Sequence, residues 1–242
     1  MSDATSTGET AANGGRTSRC RTVSGATVTL TARTGDLSEP WFGRFWLRGN
    51  HVYRAFETAP TGTFESHVEH VLAGRVVERV SVDGGQLILA HNEELKASLA
   101  VWSGSAHEVY TWLNGPPPDV SQLTEIFDDL EIEDSAEGVR AEPRLTEEVN
   151  LHAIELKKYV PDIAFLTILD GAEGVDLVPK WSGAKAAYGE VWAKAPDGLA
   201  SKGSFLLHAS ESAVTLAAPE HKPGVDPQAT LGFLADLQVS WD

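Results

Sequence analysis

One cysteine, Cys20, and one methionine stand among the 242 residues of the chain. A single thiol excludes an intrachain disulfide and a cysteine-built metal cluster, and it suits a reducing compartment. Long apolar runs are also missing: no stretch approaches the roughly 18 residues that a membrane helix needs. Positive charge is scarce, with 19 Lys and Arg against 35 Asp and Glu, a formal net charge of −16. That field repels phosphate backbones and anionic headgroups, so neither a nucleic-acid nor a membrane partner is expected. The opening residues, MSDATSTGETAANGGRTSRC, contain no apolar h-region of a secretory or lipoprotein signal. Their Ser, Thr, Gly and Ala predict a disordered tail over residues 1–20. These absences predict a soluble, cytoplasmic protein.

Catalytic signatures are missing too. There is no G-x-S-x-G elbow, no H-E-x-x-H pair and no Walker loop, so the reading leans away from an enzyme. What is present is ordinary globular material, 42% hydrophobic and 22% charged. A chain of this length buries roughly 70–75% of the surface its unfolded form exposes.

Period-two alternation over 26–31 predicts a strand, and WFGRFWLRGNHVYRAF (41–56) predicts a hairpin turning at Gly49-Asn50. TFESHVEHVLAG (63–74) places Phe64, Val68, Val71 and Leu72 at helical spacing, with Thr63 as N-cap and Gly74 as terminator. Two hairpins follow, turning at Asp83-Gly84-Gly85 and at Gly104-Ser105. Asp119, after a proline run, caps a helix to about Leu130, before a short strand at 131–133. The stretch 145–160 fits helix or strand, 163–181 predicts a hairpin around 170–174, and Asp226-Pro227 begins a last helix.

Residues 98–134 and 204–242 both read strand, turn, strand, Pro-containing loop, helix, strand. This repetition predicts an α+β fold of two similar lobes, an internal duplication in which each lobe is a mainly antiparallel sheet covered by one or two helices. The lobes span 21–134 and 145–242, with a polar linker at 135–144.

Among candidate groups, His67 and His70 sit three apart on the first helix. A metal site needs three or four ligands, and two are visible, so both read as solvent-side residues and no metal or other cofactor is expected. The acids of DDLEIED (128–134) lack the glycine of a calcium loop and read as a solvated strand face. DGAEGVD (170–176) reads as a turn. The aromatic–arginine hairpin is more suggestive. Arg44, Trp46 and Arg48 share one strand face, and Tyr53 or Arg54 comes opposite on the return strand. Such a surface is cationic and able to stack, in an otherwise acidic chain. It equally describes a core tryptophan covered by arginine stems.

The function expected is therefore non-catalytic: a binding or accessory protein offering a surface or an interlobe groove to a protein partner or small molecule. The alternatives are a small-molecule enzyme using a His/carboxylate pair in that groove, and a structural component of a larger assembly.

Overall fold

In the computed structural model, which describes residues 9–10, 15–49, 52–144, 149–194, 205–220, 222–223, 226 and 228–242, alternation becomes strand almost throughout. After the two-residue β1 (Glu9–Thr10) come β2 (Arg16–Arg21) and β3 (Thr27–Ala32). The aromatic hairpin is β4 (Trp41–Gly49) and β5 (Tyr53–Pro60), closed by Gly49 N–H donating to Val52 O at 2.8 Å. The Asn50 of its expected turn lies outside the described residues. Then follow α1 (Thr63–His67), continued by a π-type turn over Val68–Leu72, β6 (Arg75–Val82), β7 (Gly85–Asn92), β8 (Ala97–Ser103) and β9 (His107–Asn114). Next are α2 (Val120–Asp128), β10 (Leu130–Ser135), β11 (Gly138–Pro143), β12 (Val149–Val160) and β13 (Ala164–Asp170). The chain ends with α3 (Gly171–Gly174), β14 (Ala184–Ala186), β15 (Gly189–Lys194), β16 (Phe205–Ala209), β17 (Ala213–Pro219), α4 (Ala229–Asp236) and β18 (Gln238–Trp241).

The expected fold class is corrected. Strand makes up 56% of the described residues and helix 16%, so the protein is mainly β rather than a pair of helix-covered α+β lobes. The reason lies in element length. The helices α1 and α3 are about one turn each, and the described part of the ambiguous 145–160 segment is a twelve-residue strand. The hairpin expected at 163–181 is not formed: β13 pairs with β12 and β17, and Asp170 instead caps α3 by accepting from Ala172 N–H at 2.8 Å. Residues 138–143 of the expected linker are β11, and residues 16–20 of the expected tail belong to β2; residues 1–8 and 11–14 lie outside the described residues. No helix among the described residues is long and apolar enough to cross a membrane.

Two compact units divide the chain. The central unit holds Arg21–Gly25 and Phe42–Ile154; the terminal unit holds Met1–Cys20, Ala26–Trp41 and Glu155–Asp242. In the central unit the antiparallel strand order is β4-β5-β9-β8-β7-β6. Phe45, Leu47, Phe56, Leu89, Ala100 and Val109 line one apolar cluster with Leu123, Ile126 and Phe127 of α2. Alternate residues of the same strands, among them Ile88, Leu99, Val101 and Tyr110, form a second cluster with Phe64, Val68 and Leu72 of α1 and its extension. Two apolar clusters explain why β7 and β8 read as continuous hydrophobic runs rather than alternating ones. The capping box of α2 is complete: Asp119 accepts from Gln122 N–H at 2.9 Å and Gln122 returns the bond at 3.0 Å.

In the terminal unit the order is β12-β13-β17-β16-β15-β14, and β3 pairs with β18. Its main cluster gathers Val28, Leu30, Val160, Leu166, Ile168, Phe233 and Leu234. The two strand orders have the same connectivity: in each, the second strand pairs with the last of the four strands that follow, and those four run outward in reverse order.

Candidate functional site

Among the described residues, a fork between two strands of the central unit makes a cavity. On one edge, β5 pairs with β4 from Thr58 down to Tyr53. On its other edge it pairs with β9 over Pro60 to Glu57, ending at Glu57 opposite Tyr110. Beyond that rung β9 continues to Asn114 alongside β8, while β5 parts from it. The Thr111 hydroxyl replaces the missing rung, donating to Ala55 O at 2.7 Å. The gap is a cleft of about 290 Å³, walled by Ala55 and Thr111 with the side chains of Arg44, Tyr53, Arg54, Glu57 and Trp112 around it.

Strand periodicity decides which groups meet. Arg44 lies opposite Glu57, Trp46 opposite Ala55 and Arg48 opposite Tyr53, so these six share a face. Arg54 lies opposite Leu47, a buried residue of the other face. Thus the structure unites Arg44, Trp46, Arg48 and Tyr53 and sets Arg54 across the sheet from them. Arg54 still borders the cleft, because the fork opens between the strands rather than above them. Arg48 and Trp46 are not part of its wall. Arg48 is exposed, and Trp46 underlies Arg44, whose guanidinium carbon stands 4.4 Å from the indole centroid.

Both cleft arginines are poorly compensated. Arg44 Nε is buried with no hydrogen-bond partner, a condition that costs roughly 1–3 kcal/mol. Burial pulls the Arg54 pKa below its ordinary value, and the nearby Asp129 charge opposes that pull. Glu57, by contrast, is engaged: Tyr110 Oη donates to its Oε2 at 3.0 Å. Burial first, and then the Glu57 charge, push the Tyr110 pKa far up, which keeps the phenol a donor.

From α1, His67 packs its ring 5.1 Å from Tyr110 and 6.0 Å from Trp112, centroid to centroid. Its Nδ1 is buried without a partner. The solvent-side reading of His67 is therefore corrected, since it is half-buried against aromatic rings, whereas His70 is exposed. A Glu on β9 orients the helix. Gly62, in a left-handed conformation, precedes α1 without a side-chain cap of its own. Glu108 caps it instead, accepting from Gly62 N–H at 2.6 Å and Phe64 N–H at 2.9 Å.

Glu57, Tyr110, Thr111, Trp112 and His67 were not among the residues expected at a site. Alternation in HEVYTWLN does put Tyr110 and Trp112 on one face. Only the non-local pairing of β5 with β9 brings that face beside Arg44.

The other expected features resolve into structural roles. In DDLEIED, Glu133 lies 3.3 Å from Arg140 and 3.7 Å from Arg21, and Asp134 accepts from Ser105, from Ala106 N–H and meets His107 Nδ1 at 3.0 Å. Among the described residues no three His, Cys, Asp or Glu gather closely enough to hold a metal ion. Chemically, the cleft offers guanidinium donors, exposed aromatic rings that include the Tyr53 phenol, and an occupied carboxylate; the Thr111 hydroxyl is committed to the backbone. No protein-family model, no curated protein and no solved structure matches this chain.

Proposed function

We propose that the protein is a non-catalytic binding protein whose strand-fork cleft, between β5 and β9 of the central unit, accepts a small ligand. The observation that carries this reading is the lining of the cleft: Arg44, Arg54 and Glu57 border a cavity of about 290 Å³ beside the exposed rings of Tyr53 and Trp112. Concave sites with a few polar groups set among aromatic side chains are where small ligands bind. The expected Arg44, Trp46, Arg48 and Tyr53 surface belongs to the same proposal, with Trp46 supporting the guanidinium from below and Arg48 and Tyr53 at the rim. A cytoplasmic setting belongs to it as well, in keeping with the single, buried Cys20.

The test is a two-dimensional amide spectrum of labelled protein, recorded against a panel of anionic, cationic and neutral small molecules. Binding is expected to move resonances of Arg44, residues 53–57 and residues 110–112, and Arg44→Ala is expected to abolish those movements. A panel in which no compound moves them, or in which the movements survive Arg44→Ala unchanged, would refute the reading.

A further inference from the structure

Resting on the proposed use of the strand-fork cleft, we infer that its ligand is a neutral sugar, bound there through a single pyranose ring. Four features of the cleft select this class.

The first is the pairing of charge. Arg44 is the cross-strand neighbour of Glu57, and Asp129 stands close enough to Arg54 for its charge to act there. Each cation that borders the cleft thus has an anion beside it. Arg48, at the rim, is exposed, where water and salt screen it. An ionised ligand therefore finds no unpaired charge to replace the hydration it gives up. A neutral one gives up less, and the field of a chain with net charge −16 does not repel it.

The second is the mixture of donors and acceptors. Tyr110 takes only Oε2 of Glu57, so Oε1 is left to accept. Arg54 can only donate. Arg44 Nε is shut off from the cleft and takes no part, whereas no nitrogen of Arg54 is buried and unpartnered in that way. A hydroxyl both donates and accepts, so a ligand carrying several hydroxyls answers such a set. A carboxylate offers acceptors alone, and an ammonium donors alone.

The third is direction. Glu57 shares a sheet face with Tyr53, while Arg54 belongs to the opposite face, so polar groups reach the fork from both sides of the sheet. A heteroaromatic base holds its polar atoms in one plane. A pyranose carries hydroxyls around its rim, above and below the mean plane of the ring.

The fourth is apolar surface and size. Tyr53 is 74% exposed and Trp112 is 38% exposed, both beside the cleft. The C–H face of a pyranose covers such rings and removes them from water. Ligand pockets usually run from about 300 to 1,000 Å³, and this one, at about 290 Å³, admits one ring.

The experiment titrates the full-length protein with the methyl pyranosides of glucose, galactose and mannose, following tryptophan fluorescence and the amide spectrum together. Sorbitol, cyclohexanol and adenine serve as controls. At least one pyranoside is expected to move the resonances of Arg44, residues 53–57 and residues 110–112, with an affinity that is the same at low and high salt. Sorbitol has the hydroxyls without the ring, cyclohexanol the ring without the hydroxyl array, and adenine a flat polar edge; each is expected to bind severalfold more weakly. Tyr53→Ala, at an exposed position, is expected to weaken pyranoside binding about tenfold, because the ring area it offers is lost, with the fold intact by circular dichroism. Trp112→Leu is the second variant and is expected to weaken it severalfold. Adenine, or a charged member of the broader panel, binding at these residues more tightly than every pyranoside would overturn the sugar assignment while leaving the cleft as a ligand site. Sorbitol or cyclohexanol matching the pyranosides, or pyranoside affinity unchanged in both variants, would overturn it in the same way. Silence of all these compounds and of the broader panel at Arg44 and residues 53–57 would overturn both.

Discussion

Tyr110 and Glu57 are bonded across the last rung at which β5 and β9 stay paired, phenol to carboxylate at 3.0 Å. The bond closes the base of the fork and keeps the carboxylate turned toward the phenol. Tyr110→Phe removes the donor and is expected to cost about 1.5–3 kcal/mol of stability, the range for a hydrogen bond to a charged group. Urea denaturation at pH 7 measures this, with Glu57→Gln as the companion variant. If Tyr110→Phe is neutral while Glu57→Gln destabilises, Glu57 is held by something other than the phenol.

Glu108 makes stability depend on acidity near neutral pH. Burial raises its pKa to about 7, against the opposing pull of the N–H bonds from Gly62 and Phe64. The folded protein thus holds a proton that the unfolded chain has released between about pH 4.5 and pH 7. The stability this group contributes is fully present below pH 4.5 and is lost as pH rises to 7, a change of roughly 3 kcal/mol at about 1.4 kcal/mol per pH unit. His208, fully buried, behaves oppositely: burial lowers its pKa to about 4, so its contribution is present above pH 6.5 and is lost as pH falls to 4. In the natural protein the two slopes oppose one another. Glu108→Gln is expected to leave the His208 slope uncovered, so that melting temperature climbs more steeply between pH 4.5 and 6.5 than it does in the parent. Parallel profiles for parent and variant would show that Glu108 does not titrate in this window.

Lys158 is buried in the terminal unit. Its Nζ donates to Ser18 Oγ at 3.1 Å and to Glu39 O, and stands 4.7 Å from the Trp41 ring centroid. Trp41 Nε1 donates to the same Ser18 oxygen at 2.9 Å. Burial lowers the Lys158 pKa to about 8, so between pH 8 and 10.5 the unfolded chain binds the proton more tightly. Stability from this group is present above pH 10.5 and is lost as pH falls to 8. Lys158→Met, similar in length and uncharged, is expected to flatten the alkaline limb of the stability profile. Retention of the parent's rise from pH 8 to 10 in Lys158→Met would assign that rise to other groups.

Gly35 occupies a left-handed conformation, φ +86°, where an added Cβ would lie 2.9 Å from Val160 Cγ1 and 3.0 Å from Ile163 Cδ1. Both side chains belong to the terminal unit's main cluster, so neither moves cheaply. Gly35→Ala is expected to cost roughly 2–3 kcal/mol, from overpacking together with the backbone penalty. Thermal denaturation measures it, and a loss below about 0.5 kcal/mol would mean that the loop yields.

Much of this architecture is visible in local patterns. The turn chemistry of Asp83-Gly84-Gly85 marks the β6–β7 hairpin, and the Asp119 box marks α2, because each depends on residues within four positions of one another. Arg44, Trp46 and Arg48 were legible as one face for the same reason. The fork was not, because β5 meets β9 only after α1 and three intervening strands. The cap of α1 was misassigned to Thr63 since its real acceptor, Glu108, lies 44 residues from Phe64. The excess of helix in the expected fold came from reading amphipathic spacing in 63–74 as a full helix; the chain there makes five α residues and then widens into a π-type turn.

The Thr111–Ala55 bond has a kinetic meaning. Because a side-chain hydroxyl, rather than a backbone rung, spans the strands at that point, the cleft lies between strands that are already parted, and no backbone rung has to break for the proposed ligand to enter. Arrival is then set by diffusion, and differences between ligands appear chiefly in how long each one stays. A ligand with a short residence in the proposed site would let it follow that ligand's concentration moment by moment, as a reporter does.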